Sequence, residues 1–136
     1  MLSKGSAPSG GHVFNYATGS WDLDIDLARS AKWDPINAAR SAQEHDTFEW
    51  NGNVLQCDES SQVRIQAAVQ AAIIDDSVTN VWTLADNSTQ TLNATELKAM
   101  GKALSEHIKA CHDRGRMLRA QIDAATTQQE LEAIVW

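Results

Sequence analysis

His107 and Cys111 stand four residues apart in a segment patterned as a helix. At that spacing the imidazole and the thiol can face the same way, and together they could supply half of a tetrahedral zinc site. The remaining ligands would have to come from elsewhere, because His112 falls on a different face. Cys111 also belongs to an apolar seam, where a buried thiol acts as a small hydrophobe, and that is the simpler role. Asp22, Asp24 and Asp26 have the alternation that opens a calcium loop. The sixth position is Leu27 where such a loop needs glycine, and the twelfth is Trp33 where it needs glutamate, so a solvated acidic face is expected instead. His45, between Glu44 and Asp46, reads as a polar helix end. No nucleophile elbow, phosphate-cradling glycine loop, HExxH or paired CxxC occurs. The expectation is a non-enzymatic chain with no catalytic residues, no metal and no cofactor.

Composition bounds the rest. The chain has 136 residues, of which 43% are apolar and 21% charged, enough for one folded core without disulfides or metal. Cys57 and Cys111 are far apart and form no disulfide framework, which suits synthesis in a reducing cytoplasm. The formal net charge of −7 opposes binding to a phosphate backbone, and Arg114, Arg116 and Arg119 form the one short basic cluster. No nucleic-acid partner is expected. No apolar run reaches the ~18 residues of a membrane span, and the first residues lack the apolar stretch of a secretory signal.

The local patterns alternate hairpins with helices, an α+β class with strands paired locally. Residues 1–11 are rich in Gly, Ser and Pro and read as an arm, flexible alone or ordered by a partner. Residues 12–93 read as a small α+β domain, and residues 94–136 as an association element of a long helix and a short terminal helix. Within the domain, residues 12–21 suit a hairpin, with His12, Phe14 and Tyr16 on one face. Residues 21–27 alternate apolar residues with Asp, as a strand or an acidic helix entry. A helix follows to about residue 43, with a kink or restart expected at Asp34-Pro35. Asn51-Gly52 marks a second hairpin, and Asp58 caps a helix to about Ile74. A third hairpin turns at Asp86-Asn87-Ser88, and Asn93 with Glu96 forms a capping box that opens the long helix over 94–122. Thr126 and Thr127 open a last helix that runs to Trp136.

Along the long helix, Leu97, Gly101, Leu104, Ile108, Cys111, Gly115, Leu118 and Ile122 recur at alternating spacings of four and three. This is a heptad seam without a register break. Its ~43 Å length exceeds a compact core of this size, so part of it should project or find a partner. Gly101 and Gly115 permit close approach, or leave room for a large side chain from a partner. The same spacing also suits a helix packed along its own domain. Five tryptophans, Trp21, Trp33, Trp50, Trp82 and Trp136, suit a small core, with Trp136 as a terminal interface anchor.

Several segments together resemble a phage family. HVFNYATGSW, then LARSAKW and INAAR, resembles the region of tail-fibre assembly proteins that precedes their C-terminal domain. FEWNGNVLQCDESSQVRIQAA, VWTLADNSTQTLNATELKAMGKALSEHI and LRAQIDAATTQQELEAIVW resemble an uncharacterised C-terminal domain common in tailed phages and prophages, often beside fibre genes. The ordered series runs Trp82-Thr83 to Asp86-Asn87, Leu92 to Glu96-Leu97, Leu118-Arg119 through Ile122, Ala124-Ala125 and Thr127, and then Trp136. Pro35 departs from the pattern, since that stretch is a continuous helix in relatives. The resemblance implies a structural protein of the virion tail, made in the host cytoplasm and associated with fibre or baseplate proteins. It would be a homo-oligomer, with a trimer favoured. The alternative it implies is a tail-fibre assembly chaperone that is not retained in the virion.

Overall fold

In the computed structural model, residues 5–8 and 10–136 are described, so part of the expected N-terminal arm lies outside the described residues. The architecture is α+β, with short antiparallel strand pairs alternating with helices. Strands β1 (His12–Asn15) and β2 (Ser20–Leu23) form the first hairpin, followed by helix α1 (Ile25–Glu44). Strands β3 (Thr47–Trp50) and β4 (Asn53–Gln56) form the second, followed by α2 (Glu59–Ile74). Strands β5 (Thr79–Thr83) and β6 (Thr89–Asn93) form the third, followed by the long α3 (Ala94–Ala124) and the short α4 (Gln128–Glu132). The three hairpins are separate two-stranded ribbons.

Local chemistry explains most boundaries. Asn51 and Gly52 both take positive φ, the conformation a two-residue turn matched to strand twist requires. Residues 21–27 fulfil both of their readings in succession. Trp21–Leu23 pair in β2, and Asp24 then caps α1, its Oδ1 accepting from the backbone N–H of Asp26 and Leu27 at 3.1 and 3.2 Å. Asn93 and Glu96 make the reciprocal capping box at α3, with bonds of 2.9 and 3.1 Å. Asp58 holds the N-cap position of α2 but makes no cap bond to the backbone. Its carboxylate accepts instead from the hydroxyls of Ser60 and Ser61.

One boundary differs from expectation, and at Pro35 one of the two expected alternatives does not occur. Helix α1 continues through Pro35, with no restart. Proline removes one backbone donor, but Ala28 before it and Ile36 after it are buried in the same core, and that packing holds both halves. At the C-terminus α4 stops at Glu132 rather than Trp136, after Thr127 Oγ1 has capped it by accepting from Glu130 N. Ile134 is buried beyond the helix end, which anchors the last residues outside any regular element.

The chain divides into two compact units that cut across the expected boundary at residue 93. Unit 1 comprises residues 1–40 and 113–136, and unit 2 residues 41–112. The core of unit 1 gathers Ala28, Ile36, Leu118, Ile122, Ala125, Leu131 and Ile134. In it, Gly11 packs so closely on α1 that a Cβ there would stand 2.3 Å from Ala28 Cβ. The last residues of the arm are thus seated on their own chain. The core of unit 2 is built around Phe48, Leu55, Ile65, Leu92, Leu97, Met100 and Leu104.

Candidate association surface

The residues that could do chemistry are occupied with structure. In unit 2 the last turn of α1 carries no basic residue, and its terminal carbonyls need partners from elsewhere. His45 Nδ1 lies 2.8 Å from Ser41 O, and His107 Nε2 lies 3.0 Å from Gln43 O. The Cys57 thiol donates to Glu44 O at 3.1 Å, and His112 Nε2 meets the Glu44 carboxylate at 3.2 Å. Two histidines and a thiol thereby meet the last carbonyls of this helix, and a third histidine meets its last side chain. Burial, followed by the negative charge of Asp46, pushes the Cys57 thiol up to about 11. His107 and Cys111 do face each other, at 4.0 Å between Nε2 and Sγ. Among the described residues no group of three or more His, Cys, Asp or Glu is placed to hold a metal ion.

The acidic series of unit 1 is likewise dispersed. Asp22 accepts from Asn15 Nδ2 at 2.9 Å, Asp24 caps α1, and Asp26 pairs with Arg29 at 3.2 Å. They share no centre.

The heptad seam is consumed inside the chain. Leu97 and Leu104 are buried in the core of unit 2, and Ile108 packs against it. Cys111 is buried as well. Leu118 and Ile122 are buried in the core of unit 1. The two glycines admit side chains of the same chain. At Gly101 that side chain is Val69 of α2, and at Gly115 it is the aliphatic stem of Arg40 of α1. A self-coiled seam would first have to unpack these cores, which explains why a regular spacing on α3 does not require an external helix. Trp136 is half-buried against the core of unit 1, with the Arg114 guanidinium 4.5 Å over its ring. None of the five tryptophans is fully buried; each lies half-buried, as Trp33 does beneath Arg119 at 4.7 Å.

The unexpected apolar surface is on α2. Ser61, Ile65, Ala68 and Ala72 face the core. On the opposite side Val63, Ala67, Gln70 and Ile74 fall within about 60° of one another around the axis, and all are exposed. Val63 is 63% exposed, Ile74 76% and neighbouring Ile73 62%, so three large aliphatic groups stand in solvent on one helix. Beside this stripe runs a groove of about 540 Å³ between α2 and β5, walled by Arg64, Ala67 and Ala71 on one side and by Val81 and Trp82 on the other. Val81 is itself 63% exposed. A signal for this face was present in the sequence. Val63 and Ile65 are two residues apart and Ile73 and Ile74 are adjacent, so they cannot share one face of a helix.

Residues 27–135 match the family described as a domain of unknown function, DUF4376. The match spans most of both units, and the chain belongs to that family. No curated protein and no solved structure matches it.

Proposed function

We propose that the chain is a structural component of a phage tail, held to fibre or baseplate proteins, and that it acts by association rather than by catalysis. The observation that carries the associative part is the outer face of α2. Val63, Ile73 and Ile74 are exposed there, Val81 stands across the neighbouring groove, and the stripe itself bears no charge. Large aliphatic groups exposed together on one helix and across its neighbouring groove suit a macromolecular contact. The tail context is supported by the resemblance of the series from Trp82-Thr83 to Trp136. The net charge of −7 weighs against nucleic acid as the partner. Among the described residues no helix is long and apolar enough to cross a membrane.

Mass spectrometry of purified virions tests this proposal. The expected result is the chain present in stoichiometric amount with the tail proteins. Its absence from mature particles, with recovery on fibre protein expressed in the host cytoplasm, would replace the structural reading by that of an assembly chaperone.

A further inference from the structure

The outer face of α2 is uncharged from Val63 to Ile74, with Gln70 its one polar residue, and the charges that flank it are arranged with a symmetry of their own. Arg64 is the one basic residue of α2. Among the described residues it makes no direct ion pair: its guanidinium meets Ser60 Oγ at 3.3 Å, and Asp58 lies within its field beyond that hydroxyl. At the other end, Asp75 and Asp76 follow directly on the helix, where acidic groups are unfavourable to the carbonyl end of the dipole. Arg64 and Asp75 are eleven residues apart, as are Val63 and Ile74. Eleven residues make about three turns, so each pair lies on one flank, offset by only about 20° around the axis.

We propose that a second copy of the chain covers this face, the two α2 helices packing antiparallel about a two-fold axis near residues 68–70. In an isologous contact each residue meets the one that mirrors it across the axis. Val63 then lies against the second copy's Ile74, and Ile74 against its Val63. The small Ala67 and Ala71 let the backbones approach. A two-fold axis perpendicular to both helices keeps like flanks together, so Arg64 of each copy reaches the second copy's Asp75. The antiparallel arrangement also sets the amino end of each helix beside the carboxyl end of the other, and Arg64 relieves the acids placed there. Val81, across the groove from Ala67 and Ala71, borders the contact. This inference rests on the reading of the chain as an assembly component, and it supplies a partner for the surface on which that reading stands.

Light scattering and sedimentation of the full chain over micromolar to high micromolar concentration test it. A dimer is expected. Val63→Asp and Ile74→Asp each raise its dissociation constant at least a hundredfold, because each sets a carboxylate against the apolar side chain that faces it in the second copy, with far-UV circular dichroism unchanged and a melting temperature that no longer rises with concentration. Arg64→Glu weakens the dimer at least about tenfold, more at low salt than at high salt. Gln70→Cys, placed beside the axis, forms a disulfide-linked dimer on mild oxidation, while the buried Cys57 and Cys111 do not cross-link. A monomer at every concentration, a trimer, or a dimer indifferent to all these substitutions would overturn the two-fold contact. Retention of the monomeric variants in virions would leave the tail assignment standing without it.

Discussion

Val69 Cγ2 occupies the space where a Cβ on Gly101 would stand, 2.4 Å from that position. The glycine is therefore a socket for a side chain of α2. Gly101→Ala isolates the effect. Alanine favours the helix by ~1 kcal/mol, but overpacking a filled site costs ~1–3 kcal/mol. The overlap is with a branched, half-buried side chain, so the clash should prevail. Urea unfolding is expected to show a net loss of about 1–2 kcal/mol. Val69→Ala in the same chain should recover part of that loss, giving a coupling of about 1 kcal/mol or more. An alanine variant more stable than the parent would show that Val69 can turn aside without cost.

Leu104 tests whether the seam of α3 is core or contact. It is 3% exposed and lies among Leu97, Met100 and Phe48. Leu104→Ala removes buried surface and leaves a cavity, at a cost of about 2–5 kcal/mol. Leu104→Asp adds an unpaired carboxylate to that site and should leave the chain largely unfolded. Thermal melts monitored by circular dichroism decide the matter. A Leu104→Asp chain that folds normally but fails to assemble would return the seam to the surface.

The pattern of legibility in the sequence has a physical basis. Hairpins and caps are local devices, set by residues within a few positions of each other. Asn51-Gly52 and the Asn93–Glu96 box could therefore be read directly. The division into two units could not, because it depends on which parts of α1 and α3 pack together across most of the chain. The heptad spacing on α3 shows that one face is apolar and says nothing of whose side chains cover it. Val69 and the Arg40 stem come from distant segments, and no periodicity identifies them. The α2 surface was obscured for the opposite reason. Its apolar residues surround the helix, and a list of apolar positions does not separate Ile65, which is buried, from Val63, which is exposed.

Cys57 makes stability fall on the alkaline side. Its folded value is about 11 against an ordinary 9.0, raised first by burial and then by Asp46. Below pH 9 the thiol is protonated in both states and contributes no slope. Between pH 9 and 11 the unfolded chain loses this proton while the folded chain keeps it, so stability declines with rising pH. A shift of this size corresponds to on the order of 2–3 kcal/mol by pH 11. Cys57→Ser keeps a hydroxyl to donate to Glu44 O and removes the ionisation. Urea unfolding at pH 8, 9.5 and 11 should show a steeper alkaline decline in the parent than in the serine chain. Parallel declines would mean that the thiolate is tolerated in place.

Three Asp-x-Ser turns in unit 2 should act together at the acid end. Asp58 accepts from the hydroxyls of Ser61 and Ser60, Asp75 from the hydroxyl and N–H of Ser77, and Asp86 from the same groups of Ser88. These bonds favour the charged carboxylate and hold all three below the usual value of 3.8. A carboxyl depressed in the folded state contributes stability that is present above 3.8 and lost as pH falls from there through the folded value, because in that window the unfolded chain takes up the proton while the folded chain does not. The expected result is an unfolding midpoint in urea that is constant from pH 7 to 5 and drops below pH 4. Ser60→Ala with Ser61→Ala, Ser77→Ala and Ser88→Ala should each flatten that drop, since the donors that lower the carboxyl are removed. Ser61 is 6% exposed, so its variant also carries a packing cost at every pH, and the slope rather than the midpoint is the quantity to compare. A slope unchanged by all three substitutions would assign acid sensitivity to other carboxylates of this strongly acidic chain.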